Sequence, residues 1–130
     1  MNRVPLLYDE DCGVCRVLLG VVLEWDRDKR LRPVALGSSE AAAILDGMSE
    51  DERWGSWHLS APASVQSGGA ALPALFDVVP GGRPLAVLTG LAPALSERGY
   101  RLVADNRSRL SPLVPAQLRR RADALIAARS

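Results

Sequence analysis

The chain predicts an α/β domain: a mixed four-stranded sheet flanked by helices, with extra helices at the C-terminal end. Three observations predict it. Apolar runs at Val4–Tyr8, Val17–Leu23 and Leu31–Leu36 follow one another with charged breaks between them. Their lengths read as strand, helix, strand, an order that favours a parallel pair joined by a right-handed crossover. Two short segments on either side of Ala61-Pro62-Ala63 read as a hairpin. Beyond Pro80-Gly81-Gly82 the chain reads as a series of helical pieces. At 130 residues the whole, 1–130, is expected to be one domain with its own core, the helical extension covering about 84–130.

Each element has its own justification. Pro5 fits the opening of the first strand better than its middle. The first helix, Gly13 to about Asp26, is apolar nearly all round, which predicts burial. Trp25 closes its apolar content, and Asp26-Arg27-Asp28-Lys29-Arg30 reads as a solvated exit. Leu31–Leu36 is the second strand. Gly37-Ser38-Ser39 ends it and caps a helix over Glu40 to about Asp46, where three alanines favour helix. Ser49-Glu50-Asp51-Glu52 has the spacing of a capping box and opens a short helical turn. Trp54–Leu59 reads as a third strand and Ser64-Val65-Gln66 as a fourth. After Gly68-Gly69, Leu72, Leu75, Phe76 and Val79 fall at i, i+3, i+4 and i+7, a core-facing stripe. Pro73 belongs in the first turn of that helix. Helical pieces follow at about Leu85–Leu88 and Pro93–Asn106. Pro112 and Pro115 bracket a turn, and Gln117–Arg129 is a final helix with Leu118, Leu125 and Ile126 on one side.

The chemistry concentrates where the first strand meets the first helix. The only two cysteines stand in Cys-x-x-Cys spacing, Cys12-Gly13-Val14-Cys15. Cys12 falls in the turn and Cys15 in the first helical turn. The unpaired N–H groups and positive dipole end of a helix favour a thiolate there. A second thiol three residues on lies on nearly the same face and can close a disulfide with the first. Three other chemistries compete. A closed zinc site needs four ligands, and the chain offers two cysteines and one histidine, His58, so a carboxylate or a second chain would have to complete it. A purely structural short disulfide is disfavoured because reducing compartments keep such bridges rare. Asp9-Glu10-Asp11 after a strand is similar to the aspartyl nucleophile of phosphohydrolases. Those proteins typically carry a threonine where Gly13 stands, and Lys29 is the only lysine to serve them. The acidic residues read more simply as helix-start groups that complement the dipole.

Tyr8-Asp9-x-x-Cys12-x-x-Cys15 resembles the DCC family of thiol-disulfide oxidoreductases, whose Asp-Cys-x-x-Cys signature appears here as Asp11-Cys12-Gly13-Val14-Cys15. His58-Leu59 with Ser67-Gly68-Gly69-Ala70-Ala71-Leu72 is similar to that family's middle segment. Tyr100-Arg101-Leu102-Val103-Ala104-x-Asn106-Arg107 is similar to its closing segment. The resemblance covers roughly the whole chain. It implies a thioredoxin-like fold and dithiol–disulfide activity with Cys12 and Cys15 as the functional residues. Cys12, nearer the helix start and the exposed turn, is the expected attacking thiolate, and Cys15 the resolving thiol. Such a reaction needs no metal and no bound organic cofactor. It needs a disulfide-containing protein or a low-molecular-weight thiol as substrate. Two features depart from ordinary thioredoxins: Gly13-Val14 lacks a proline between the cysteines, and Gly55-Ser56 stands where thioredoxins carry a cis-proline that binds substrate backbone. The competing class is a redox-sensing or protein-interaction domain whose dithiol does not turn over.

The remaining features argue for restraint. The formal net charge of +1 gives no electrostatic case for nucleic acid or membranes. Arg119-Arg120-Arg121 and the other arginines after residue 100 read as a solvated helix face, with no aromatic interleaved for single-strand binding. No apolar run approaches the roughly 20 residues that span a bilayer, and no signal peptide is apparent. The expected location is the cytoplasm. His58, between Trp57 and Leu59, could relay protons to the dithiol but reads first as a structural histidine. Trp25, Trp54 and Trp57 read as core or pocket wall, and one of them could cover a groove beside the cysteines. Asp11 would oppose a Cys12 thiolate if buried with it and matter little if solvent-facing.

Overall fold

A computed structural model describes residues 3–60 and 64–129. Four strands, β1 (Val4–Tyr8), β2 (Leu31–Ala35), β3 (His58–Ser60) and β4 (Val65–Ser67), form one sheet in the order β2-β1-β3-β4. β1 and β2 are parallel, with Val4 opposite Leu31 and Tyr8 opposite Ala35. Helix α1 (Gly13–Trp25) makes the crossover between them. β3 runs antiparallel to β1, and β4 antiparallel to β3. This mixed α/β arrangement is thioredoxin-like, as expected.

The pleat of β1 explains why both faces of the sheet are covered. Successive side chains point to opposite sides. Leu6 enters a cluster with Leu19, Leu23, Leu31, Leu59, Leu75, Val79 and Ile126. Leu7 enters a second cluster with Val34, Leu36, Ala41 and Leu45. The first cluster is roofed by α1, α4 (Leu72–Val78) and α8 (Ala116–Arg129), the second by α2 (Ser39–Ile44). The capping signals hold. The Ser38 hydroxyl accepts the Ala41 N–H at 3.2 Å, and the Ser49 hydroxyl accepts the Glu52 N–H at 3.2 Å. Pro73 sits in the first turn of α4, where its missing N–H costs nothing.

Four expectations need correction. The segment from Trp54 does not begin a strand: α3 runs Glu50–Gly55, and β3 starts only at His58. Once Ser49 has capped the helix, propagation carries it through Trp54, whose ring packs in the second cluster. The fourth strand is shifted by one residue, to Val65–Ser67. The expected turn at Ala61-Pro62-Ala63 lies outside the described residues. Helix α1 is not buried all round: Leu18 is 48% and Val21 57% exposed. Leu118 is also exposed, so of the three apolar residues assigned to one side of α8 only Leu125 and Ile126 pack on the core.

The C-terminal helices wrap the dithiol helix. After α5 (Arg83–Leu91), α6 (Pro93–Asp105) and the single turn α7 (Arg107–Leu110), a 3-10 turn, Ser111–Leu113, meets the start of α1. Helix α8 then lies along α1. The contact at Gly20 is so close that an added Cβ would stand 2.6 Å from the Cβ of Ala122. Arg16 pairs with Asp123 at 3.6 Å, and Arg121 pairs with Glu24. At the far end Arg129 is buried. Its guanidinium donates to Asp26 Oδ2, Asp26 O and Leu23 O, each at 2.9 Å. Arg129 therefore does not belong to the solvated face expected of this helix.

Candidate active site

The site grows from the carboxyl end of β1, an inner strand of the sheet, with a parallel neighbour on one side and an antiparallel one on the other. The chain turns through Asp9-Glu10-Asp11, and Cys12 is the residue that caps α1. Its backbone is extended, and its sulfur accepts the Cys15 N–H at 3.3 Å. Cysteine here occupies a place usually held by serine, threonine or an acidic residue. Cys12 and Cys15 are joined as a disulfide, with Cα atoms 5.2 Å apart. The expected turn-and-first-turn placement of the two cysteines is the one observed.

Their exposure is the reverse of what the turn suggested. Cys12 is only 8% exposed, whereas Cys15 is half-buried. The helix start is overlaid by a residue 97 positions beyond Val14. Ser111 packs against the helix start, 3.5 Å from the position a Cβ on Gly13 would take, and its hydroxyl accepts the Val14 N–H at 3.2 Å. That hydroxyl in turn donates to Arg107 O at 2.8 Å.

The three acidic residues do not cap the helix. The Asp9 carboxylate accepts the Asp11 N–H at 2.9 Å and pairs with Arg107 at 3.6 Å. The Glu10 carboxylate accepts the Gly37 N–H at 3.1 Å. Asp11 is exposed, the case in which its charge matters little to a neighbouring thiolate. The helix amides are thereby left to two neutral partners, the Cys12 sulfur and the Ser111 hydroxyl.

Cys15 opens onto an apolar groove of about 470 Å³. One wall is the face of α1 that hydropathy assigned to the core: Val14, Leu18, Val21, Val22 and Trp25. Leu6 and Tyr8 of β1 form its floor, Leu72, Leu75 and Phe76 of α4 its far end, and Gly99, Tyr100 and Val103 of α6 the facing wall. Trp25 and Trp57 line it, while Trp54 packs on the other side of the sheet. Trp25 is held by its indole N–H, which donates to Pro80 O at 2.7 Å, and its ring lies 5.8 Å from that of Phe76. Burial raises the Tyr8 hydroxyl above the ordinary tyrosine range, with the Glu10 charge adding to it. Burial likewise raises Tyr100, opposed by the hydrogen bond from the Trp57 backbone.

His58 stands apart from this site. It pairs with Leu7 across β1 and β3, on the face opposite Leu6. Its Nε2 lies 2.9 Å from Arg53 O and its Nδ1 2.6 Å from the Ser67 hydroxyl. A carbonyl only accepts, so Nε2 carries the proton and Nδ1 accepts from Ser67. Burial lowers its pKa. Both nitrogens are used in joining α3 to the hairpin, the structural role. Among the described residues, no three His, Cys, Asp or Glu side chains group as a metal site, and no helix is long and apolar enough to cross a membrane.

Sequence reasoning missed Ser111 as a partner of the dithiol helix, and Tyr100 and Gly99 as a wall of the groove beside Cys15. Only the similarity of Tyr100–Arg107 to the family's closing segment hinted that this stretch returns to the site.

A cysteine pair at the start of the first helix of a thioredoxin-like sheet defines the class of dithiol proteins. Residues 6–112 match the model of the DCC1-like thiol-disulfide oxidoreductase family, and the chain belongs to that family. No curated protein and no solved structure matches the chain significantly.

Proposed function

We propose that the protein is a thiol–disulfide oxidoreductase that works through Cys12 and Cys15, exchanging with a disulfide-containing protein or a low-molecular-weight thiol. The observation that carries this reading is the Cys12–Cys15 pair at the start of α1, with Cys15 lining a groove. A structural staple would serve no purpose there. A disulfide across two residues closes a very short loop and constrains the unfolded chain little, and Leu6, Leu7, Leu23, Leu31, Leu36 and Leu59 form a core without it. The first helical turn supplies what exchange needs: N–H groups and a dipole end that stabilise the thiolate released when the disulfide opens. The dithiol exchanges directly with its partner, with no metal or organic cofactor, and a reducing compartment such as the cytoplasm would return it to the dithiol state. A sensing or interaction domain that does not turn over is the second reading, and turnover separates the two.

The test is paired. Mass spectrometry of protein poised in glutathione buffers should show a two-proton mass change with one midpoint. The Cys12→Ser/Cys15→Ser variant should stay folded, losing about 1–2 kcal/mol, while disulfide reduction disappears. Two persistently reduced thiols, or a double variant that reduces disulfides as well as the parent, would overturn the reading.

A further inference from the structure

We propose that substrate sulfur bonds to Cys15 rather than Cys12, and that the substrate is a small apolar disulfide or thiol whose alkyl or aryl group occupies the groove beside Cys15. The proposal rests on the dithiol reading above. Access comes first. Ser111 overlays the helix start, and Cys12 is 8% exposed, while Cys15 lines the groove. Of the two cysteines only Cys15 borders the groove, so a nucleophile approaching from there reaches Cys15 first.

The electron flow agrees with that approach. A substrate thiolate attacks Cys15 Sγ, the Cys12–Cys15 bond breaks, and its electron pair leaves on Cys12 Sγ. That sulfur already accepts the Cys15 N–H at 3.3 Å as the helix cap. Cys12 is thus the better leaving group, and thiol exchange runs faster when the departing thiolate is stabilised. A second substrate thiolate then attacks the substrate sulfur of the mixed disulfide. It releases the substrate disulfide and Cys15 as a thiolate, and two electrons have moved to the dithiol. In reverse, the Cys15 thiolate opens a substrate disulfide and expels one thiolate. The Cys12 thiolate then attacks Cys15 Sγ and expels the other.

The substrate class follows from what the groove offers. Its walls are mostly apolar side chains, with Asp9, Ser56 and Arg107 the polar exceptions, and its volume of about 470 Å³ suits a small molecule. A peptide would need backbone groups to pair with. Trp57, on the wall of the groove, has no backbone group to spare: its N–H donates to the Tyr100 hydroxyl at 3.1 Å, and its carbonyl accepts Gly68 N–H at 3.2 Å.

The test uses the full chain with one cysteine at a time. Cys12→Ser and Cys15→Ser are treated with methyl and octyl methanethiosulfonate, which transfer an alkylthio group to a thiolate and release methanesulfinate. Rates are followed by mass spectrometry. Cys15 should react faster than Cys12. It should prefer the octyl over the methyl reagent by about tenfold, the gain from burying roughly two methylenes. Gly99 lines the groove, and a Cβ there meets nothing within 4 Å. Adding Gly99→Leu to Cys12→Ser should therefore abolish the octyl preference, its Cβ having open space and its side chain taking up groove volume. Faster labelling of Cys12, or no chain-length preference at Cys15, overturns the proposal. So does a reduced parent that exchanges faster with oxidised insulin than with dibutyl disulfide. The glutathione titration of the parent reports the dithiol reading separately: a two-proton change together with labelling on Cys12 refutes this inference alone.

Discussion

Replacing Arg129 by methionine tests how the dithiol helix is held. The substitution keeps an unbranched stem and removes three hydrogen bonds of 2.9 Å, to Asp26 Oδ2, Asp26 O and Leu23 O. Arg129 is 8% and Asp26 0% exposed, so water does not replace those bonds. Breaking a buried pair by removing one partner typically costs about 3–5 kcal/mol. Asp26 keeps two donors, the Leu31 N–H at 2.8 Å and the Arg30 N–H at 3.1 Å, which places the cost at the low end. The expected loss is about 3 kcal/mol, a large share of an ordinary domain's stability, and a fall in Tm of about 10 °C. Urea unfolding followed by circular dichroism gives the number, and the slope m should be unchanged. Arg129→Lys should recover only part of the loss, because an ammonium cannot reach three acceptors from one planar fork. A loss under about 1 kcal/mol for Arg129→Met would show that the buried pair does not fasten α8 to α1.

Two further outcomes follow from single contacts. His58 is neutral in the fold and its pKa is depressed by burial from 6.5. The unfolded chain therefore binds a proton first as the pH falls, and stability should decline below about pH 6.5, by at most about 1.4 kcal/mol per pH unit. His58→Gln should flatten that part of the unfolding profile, and an unchanged slope would remove His58 as its source. Gly20→Ala gains about 1 kcal/mol of helix propensity but drives a methyl into Ala122, 2.6 Å from its Cβ and 2.8 Å from its Cα. A net loss of about 1–2 kcal/mol is expected. Ala122→Gly in the same chain should return part of it, and strict additivity in the double-mutant cycle would deny the contact.

The centre of the fold was legible in the residues, and its periphery was not. The β1–α1–β2 unit was plain because apolar runs of two different lengths bracket the cysteines. Ser38 and Ser49 announced their helices because a capping hydroxyl acts locally. Trp54 misled because an aromatic residue suits strands on average, while its own backbone was already committed to a helix begun at Ser49. The face of α1 bearing Leu18 and Val21 misled for a different reason. Hydropathy cannot separate a core-facing residue from a groove wall. Cys12 and Cys15 were found from spacing alone, but the residue overlying their helix start is Ser111, and Arg129 became a buried cation only through Asp26. Both partners come from about 100 residues away, and no local pattern encodes such encounters.

Helix α1 is pinned at two of three points along its length. Gly20 sits flush on Ala122, and the exit at Asp26 is tied by Arg129. The first turn is held differently, by the Ser111 hydroxyl, the Cys12 cap and the half-exposed Arg16–Asp123 pair at its end. The helix is therefore a lever clamped at its middle and its tail. Any rearrangement that accompanies opening the sulfur bridge must be absorbed within one turn of backbone, between Cys12 and Arg16, and in the Ser111 loop above it. Reduction is therefore expected to reshape the mouth of the groove beside Cys15 and to leave the walls built by α1 and α4 in place.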